Sequence, residues 1–161
     1  MSDSLRTVTV NRVGTGRYTA VNARGGTIEF GSGSGDGDGF TPVELLLAAL
    51  GGCTAIDADV ATSRHAEPLH FSVAVRGDKI GDEEGNRMEN LAITFHVEFP
   101  EGPEGDRARA ILPRAVKLSH DRLCTVSRTV ERGTPVSSSV ADADGETATD
   151  SDTGTAAAAE D

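Results

Sequence analysis

The 161-residue sequence contains no tryptophan, one tyrosine and only two cysteines, Cys53 and Cys124. The two cysteines form no C-x-x-C motif and are too few for a dense disulfide framework. In a reducing compartment, such a widely separated pair favours free thiols or a transient redox pair. No ligand-pair spacing supports a metal site formed by the cysteines and a histidine, so none is expected.

Motifs of several common enzyme and binding classes are also missing. The glycine-rich run at residues 31–39 has neither the G-x-G-x-x-G spacing nor the Gly-Lys-Ser/Thr ending of a nucleotide loop. Asp36 and Asp38 could open a calcium loop, but Phe40 follows where a third oxygen ligand is needed. Leu47 stands where that loop requires a bidentate glutamate. No G-x-S-x-G elbow is present. The run is predicted to be a flexible linker, and no cofactor is expected.

No segment has the pattern of an export signal or a membrane anchor. The first ten residues lack a basic region followed by an apolar stretch. The longest apolar run, at residues 45–50, is too short to cross a bilayer. We therefore expect a cytoplasmic protein with no membrane partner.

Charge is unevenly distributed along the chain, whose formal net charge is -11. Residues 141–161 hold seven acidic residues and no lysine or arginine, so residues 1–140 carry only -4. We predict one folded domain at residues 1–140 and an acidic disordered tail at residues 141–161. Two lysines against thirteen arginines, with abundant Asp, Gly and Ala, are typical of proteins from salt-loving organisms. An acidic surface repels phosphate backbones, so nucleic acid is not an expected partner.

Hydrophobic alternation predicts strands on both sides of a central helical segment. Three short strands, at residues 7–10, 17–21 and 27–30, are separated by turn signals and form an antiparallel meander. The later elements are strands at residues 69–76 and 88–99 around a charged loop at 77–86, helices at 106–118 and 121–132, and an edge strand at 135–140. The first of these helices is expected to kink or restart at Pro113.

The clearest start signal precedes the apolar run. Thr41 suits the N-cap, Pro42 suits the first helical position and Glu44 suits N3, so a capping box is expected. Residues 45–50 are apolar on every face, so this helix must be enclosed by protein. A single small domain rarely surrounds a helix completely, and a second subunit is therefore a natural supplier of the missing wall.

Cys53 follows two glycines, Gly51 and Gly52, within the same helix. Each glycine costs about 1 kcal/mol relative to alanine, which indicates close approach by another backbone. On a helical wheel, Cys53 shares an apolar face with Asp57. Apolar surroundings raise the pKa of a thiol, Asp57 would raise it further, and the helix N-terminus is too distant to lower it. A reactive Cys53 needs a cation from elsewhere; the alternative is a small buried residue.

His120 is the other titratable residue placed near a cysteine by spacing. It lies four residues before Cys124, so the two would share a helical face, and His120 could tune the thiol. The alternative is a surface histidine at a helix boundary.

Two segments carry a resemblance to a known family. Residues 42–57 read PVELLLAALGGCTAID, and residues 118–126 read LSHDRLCTV. Together they resemble the OsmC/Ohr superfamily, most closely its YhfA-like branch. The resemblance implies an α+β fold in which antiparallel sheets wrap around a long buried central helix. It also implies an intertwined homodimer.

The resemblance further implies thiol chemistry in oxidative-stress defence. In the peroxide-reducing members, the first cysteine, here Cys53, is the peroxidatic thiolate that attacks an organic hydroperoxide. It then condenses with the second, here Cys124, and a cellular dithiol reduces the disulfide. An arginine of the N-terminal sheet holds the thiolate in those members, and Arg17 and Arg12 are the candidates here.

One position departs from the hydroperoxide-resistance members. Val43 occupies the place of their glutamate, and Glu44 lies on the opposite side of the helix from Cys53, where it caps. The alternative function is therefore a non-catalytic dimer that binds or senses a small electrophile or a hydrophobic ligand.

Overall fold

A computed structural model describes residues 4–33 and 39–141. The described elements are β1 (Val8–Gly14), β2 (Arg17–Asn22), β3 (Thr27–Gly31), α1 (Pro42–Thr62), β4 (His70–Asp82), β5 (Gly85–Glu98), α2 (Pro103–Leu118), a π-helical turn (Ser119–Leu123) and α3 (Thr125–Glu131). Both sheets are antiparallel, which confirms the α+β class. Most of the linker, residues 34–38, and the tail from residue 142 onward lie outside the described residues.

The N-terminal sheet has the strand order β1-β2-β3, which confirms the meander. Tyr18 and Phe30 pair across β2 and β3, with ring centroids 5.7 Å apart. The extensive contacts of these strands are with one another. Several apolar side chains of the sheet are exposed in the single chain: Val8, Val10, Val13 and Ile28. This sheet is therefore not covered by the other residues that the structure describes.

The second sheet is a long hairpin of β4 and β5. The prediction of a charged loop at residues 77–86 is therefore wrong. Both strands continue through that region to a tight turn before Gly85. Arg87 forms ion pairs with Asp82 at 2.8 Å and with Glu89 at 2.9 Å. Hydrophobic alternation cannot detect this extension, because charged side chains line it.

Helix α1 begins with the expected capping box. The Glu44 backbone N–H donates to Thr41 Oγ1 at 3.3 Å, and Glu44 Oε2 accepts from the Thr41 backbone N–H at 2.7 Å. In the single chain only one face of the helix is buried, whereas Ile56 is 66% exposed and Val60 is 53% exposed. The full enclosure expected from the sequence is thus not supplied by one chain.

The two glycines of α1 differ in their surroundings. A Cβ on Gly51 would lie 2.6 Å from Val75 Cγ2, so glycine allows α1 to pack closely on β4. The close neighbour is a side chain rather than the backbone expected from the two glycines. A Cβ on Gly52 would meet no described atom within 4 Å. The prediction that another backbone lies close to this glycine is therefore wrong for the single chain.

Helix α1 as a whole is long enough to cross a bilayer, whereas the apolar run at residues 45–50 alone is not. Its 21 residues include a window of mean hydropathy 1.5, so by length and composition it could cross a bilayer. Core helices of globular proteins pass the same test, and α1 packs against β4, α2 and α3.

The C-terminal part departs most from the sequence prediction. Helix α2 runs through Pro113 without restarting. The expected helix at residues 121–132 is replaced by the π-helical turn, an extended Cys124 and the shorter α3. Gly133, with φ 58°, follows α3 as the expected stop. No strand forms at residues 135–140, so the edge-strand prediction is wrong.

Candidate active site

The two cysteines meet, although 70 residues separate them in the chain. Both are free thiols; Cys53 on α1 is partly buried, and Cys124, at the N-cap of α3, is 0% exposed. The hydroxyl of Thr54, the residue after Cys53, lies 3.6 Å from Cys124 Sγ, and the two thiols are near enough that each alters the pKa of the other. The structure thus brings together a reachable sulfur and an enclosed one.

The π-helical turn fixes the position of Cys124. The Cys124 backbone N–H donates to the Ser119 carbonyl at 2.9 Å. The Ser119 hydroxyl in turn donates to Asp57 Oδ2 at 2.7 Å, which ties the turn to α1. Asp57 lies one helical turn after Cys53, so this bond links the two cysteine-bearing segments.

Burial and the neighbouring Cys124, rather than Asp57, raise the pKa of the Cys53 thiol. Asp57 instead accepts the Ser119 hydrogen bond. Its role in the structure is to position the turn.

Hydrogen-bonding groups surround the Cys124 sulfur. Ser127 Oγ lies 3.2 Å from Cys124 Sγ, the Ser127 backbone N–H donates to it at 3.4 Å, and Thr54 Oγ1 lies at 3.6 Å. Burial alone would raise the pKa of Cys124. The two Ser127 groups, the Cys53 thiol and the Thr54 hydroxyl together hold that pKa below its ordinary value.

The pKa of Cys53 is shifted in the opposite direction, above its ordinary value. Burial raises the pKa of the Cys53 thiol, and the neighbouring Cys124 raises it further by hydrogen bonding and charge. The backbone N–H groups of Val126 and Thr125 lower it, but by less. In a single chain, Cys124 is therefore the more readily ionised of the two.

Neither candidate arginine reaches Cys53 within one chain. Arg12 lies in β1, where its guanidinium contacts Thr15 Oγ1 at 3.5 Å, and Arg17 begins β2. The elements packed on α1 are β4, α2, α3 and the π-helical turn, not the sheet that carries these arginines. Their proposed role stays a prediction.

His120 lies on the surface rather than against the thiol. Its side chain is 62% exposed, and its Nδ1 lies 3.3 Å from Glu131 Oε1. Cys124 is not helical, so the shared helical face that would place His120 against it does not form.

Sequence reasoning missed the residues that surround Cys124. A cavity of about 390 Å³ lies beside Thr54 and Ser127 and is lined mainly by apolar residues of α1, β5, α2 and α3. The spacing Cys124 to Ser127 is that of an N-cap and its N3 residue, which could have indicated the sulfur contact. No local signal could have indicated Thr54, because its partner is distant in sequence. Among residues 4–33 and 39–141, no three His, Cys, Asp or Glu side chains are grouped to hold a metal ion.

Comparison with protein families matches residues 35–139 to the family of OsmC-like proteins. Uncharacterized proteins of Mycobacterium bovis and Mycobacterium tuberculosis are 32% identical over 135 residues, which is 83% of this chain and 94% of theirs. The YhfA-like branch and a halophilic source stay predictions.

Solved structures show the same fold. An OsmC-like protein of unknown function from Vibrio cholerae has a TM-score of 0.63 at 15% identity, covering 80% of this chain and 94% of that one. An organic hydroperoxide resistance protein, OsmC, from Legionella pneumophila has a TM-score of 0.50 at 15% identity, covering 81% and 91%. At these identities the likeness concerns the fold.

Proposed function

Because this chain belongs to the OsmC-like protein family, we propose that it is a thiol-dependent peroxidase that reduces organic hydroperoxides through Cys53 and Cys124. The observation that carries the proposal is that Cys124 Sγ lies 3.6 Å from the hydroxyl of Thr54, the residue after Cys53, so that one partly accessible thiol and one enclosed thiol are neighbours. Such a pair can complete a two-electron cycle without a cofactor. Its place in the cell would be oxidative-stress defence in the cytoplasm, where dithiols are available.

The reaction has three steps. The Cys53 thiolate attacks the terminal oxygen of the hydroperoxide, the O–O bond breaks, and the alcohol leaves after taking a proton. Cys53 is then a sulfenic acid. The Cys124 thiolate attacks the Cys53 sulfur, a disulfide forms and hydroxide leaves as water. A cellular dithiol then supplies two electrons and restores both thiols. The hydrogen bonds that favour a Cys124 thiolate support its part in the second step.

A homodimer is part of the proposal, because the single chain leaves the site incomplete. Cys53 needs a cation, and one face of α1, with Ile56 and Val60, is exposed. The N-terminal sheet is also uncovered and carries Arg12 and Arg17. We propose that this sheet covers α1 of a second copy and brings one of these arginines to its Cys53.

The alternative is a non-catalytic dimer that binds or senses a small electrophile or a hydrophobic ligand. Two observations favour it: the pKa of Cys53 is raised in the single chain, and an apolar cavity lies beside Thr54 and Ser127. Val43, at the start of α1, has no carboxylate to take part in peroxide chemistry.

Catalytic consumption of peroxide separates the two functions. Reduced protein is given excess dithiothreitol and either tert-butyl hydroperoxide or hydrogen peroxide. We expect many turnovers, faster with the organic peroxide, and loss of turnover in Cys53→Ser. Consumption equal to that of dithiothreitol alone would favour the binding or sensing function.

A further inference from the structure

The side-chain hydroxyls at the thiol pair are directed to one sulfur. Thr54 lies next to Cys53 in sequence, yet its hydroxyl contacts Cys124 Sγ at 3.6 Å. Ser127 contacts the same sulfur through its hydroxyl and its backbone N–H. The groups that lower the pKa of Cys53 are backbone amides alone. The surroundings therefore favour a negative charge on the Cys124 sulfur over one on the Cys53 sulfur.

The more accessible of the two sulfurs is that of Cys53. Cys124 is 0% exposed, whereas Cys53 lies at the partly exposed face of α1. In the single chain, an external thiol can approach Cys53, whereas Cys124 is enclosed. The sulfur that can be attacked is thus not the sulfur that is surrounded by hydrogen-bonding groups.

We propose that Thr54 and Ser127 make Cys124 the leaving thiolate when the Cys53–Cys124 disulfide is reduced, so that the external thiol attacks only the Cys53 sulfur. The inference rests on the proposed function insofar as this disulfide is its intermediate. It adds which sulfur receives the reductant and which residues decide it.

The step balances as a thiol–disulfide exchange. The thiolate of a reducing thiol attacks Cys53 Sγ, a mixed disulfide forms there, and the Cys53–Cys124 bond breaks. Its electron pair goes to Cys124 Sγ, which the hydroxyls of Thr54 and Ser127 and the Ser127 N–H stabilise as a thiolate. A second thiol of the reductant then attacks its own sulfur in the mixed disulfide and releases Cys53, so the dithiol is oxidised and the protein reduced by two electrons. Exchange is faster when the leaving thiol is more acidic, and stabilisation of Cys124 therefore directs the attack.

The chain offers a matched control for the Thr54 hydroxyl. Thr54 and Thr62 are buried on α1, and each donates to the carbonyl four residues earlier at 3.0 Å. Only Thr54 also contacts a cysteine sulfur. Thr62→Val thus reproduces the loss of a buried hydroxyl that bonds to a helix carbonyl, without the loss of a group that contacts Cys124.

The test uses the full chain, oxidised with diamide so that no peroxide reaction is needed. A limiting amount of the monothiol 2-mercaptoethanol is added, the reaction is quenched with acid, free thiols are alkylated and peptides are identified by mass spectrometry. We expect the mercaptoethanol adduct on Cys53 and the alkyl group on Cys124. The rate of reduction should fall about five- to tenfold in Thr54→Val and Ser127→Ala, because each loses a hydrogen bond to charged sulfur. Thr62→Val should reduce at the rate of the unaltered protein.

A second measurement distinguishes this role from a loss of structure. In a Cys53→Ser background, the ultraviolet absorbance of the Cys124 thiolate is followed against pH. Thr54→Val and Ser127→Ala should each move the titration to higher pH, and Thr62→Val should leave it in place. The adduct on Cys124, an equal distribution, failure of diamide to form the disulfide, or equal rates in Thr54→Val and Thr62→Val would overturn the inference. Absence of peroxide turnover alone would contradict the proposed function and leave this inference standing.

Discussion

Ser119 donates a hydrogen bond of 2.7 Å to Asp57, and this bond ties the π-helical turn to α1 beside both cysteines. The same serine accepts the backbone N–H of Cys124 at 2.9 Å. The position of Cys124 relative to Cys53 thus depends on a polar contact between segments that are distant in sequence.

Ser119→Ala should therefore loosen the thiol pair. We expect a loss of about 1–3 kcal/mol of stability, since a buried hydroxyl that donates to a carboxylate is removed, and slower formation of the disulfide with diamide. Thermal unfolding and the rate of thiol loss measure the two effects. Ser63→Ala is the control, because Ser63 makes a similar bond of 2.6 Å to Asp59 at the exposed end of α1. Equal effects of the two substitutions would contradict the special role of Ser119.

The N-terminal cap of α1 should affect stability but not chemistry. Thr41→Ala removes the side-chain acceptor of the capping box and should cost about 1 kcal/mol in urea unfolding. Because the cap lies about three turns before Cys53, the rate of diamide oxidation should stay unchanged. Thr41→Ser keeps the hydroxyl and is the matched control. A slower oxidation in Thr41→Ala at full folding would show that the cap also shapes the site.

The exposed face of α1 should be the dimer contact. Ile56→Asp places a charge at the centre of that face and should convert a dimer to a monomer in light scattering, with loss of peroxide turnover. Val136→Asp adds the same charge at a residue that is 91% exposed outside α1, and should leave the dimer intact. A monomeric unaltered protein that still turns over peroxide would contradict the shared site.

The depressed pKa of Cys124 should appear as a pH dependence of stability. We compare Cys53→Ser with the double variant Cys53→Ser/Cys124→Ser. The folded state holds the Cys124 proton less tightly than the unfolded state does. Stability of the single variant relative to the double variant should therefore rise with pH from the folded pKa of Cys124 up to the ordinary thiol value of 9.0, and be lost as pH falls through that folded pKa. A flat or falling difference in urea unfolding would show that Cys124 is not stabilised as a thiolate.

The sequence predicts features whose interacting residues are close in the chain better than features whose partners are distant. The capping box at Thr41 and Glu44 involves neighbours in the chain, so residue types and spacing were enough. The charged hairpin was missed because its strands are held by ion pairs and show no periodic pattern of hydrophobic residues. The π-helical turn was missed because the backbone bond from Cys124 to Ser119 leaves no such pattern either.

The candidate site shows the same division. The family motifs pointed to Cys53 and Cys124, but Thr54 and Ser127 contact sulfur only after α1 and α3 have packed. Arg12 and Arg17 belong to a sheet that one chain leaves uncovered, so neither sequence nor a single chain can place them on a thiol.

The most direct test of the peroxidase function is the product of one turnover. Reduced protein is mixed with one equivalent of tert-butyl hydroperoxide, quenched with acid and analysed by peptide mass spectrometry, with Cys124→Ser treated in parallel in the presence of dimedone. We expect the Cys53–Cys124 disulfide in the unaltered protein and a dimedone adduct on Cys53 in the variant, both formed much faster than free cysteine is oxidised. Oxidation no faster than that of free cysteine, with neither the disulfide nor the adduct, would contradict the peroxidase function.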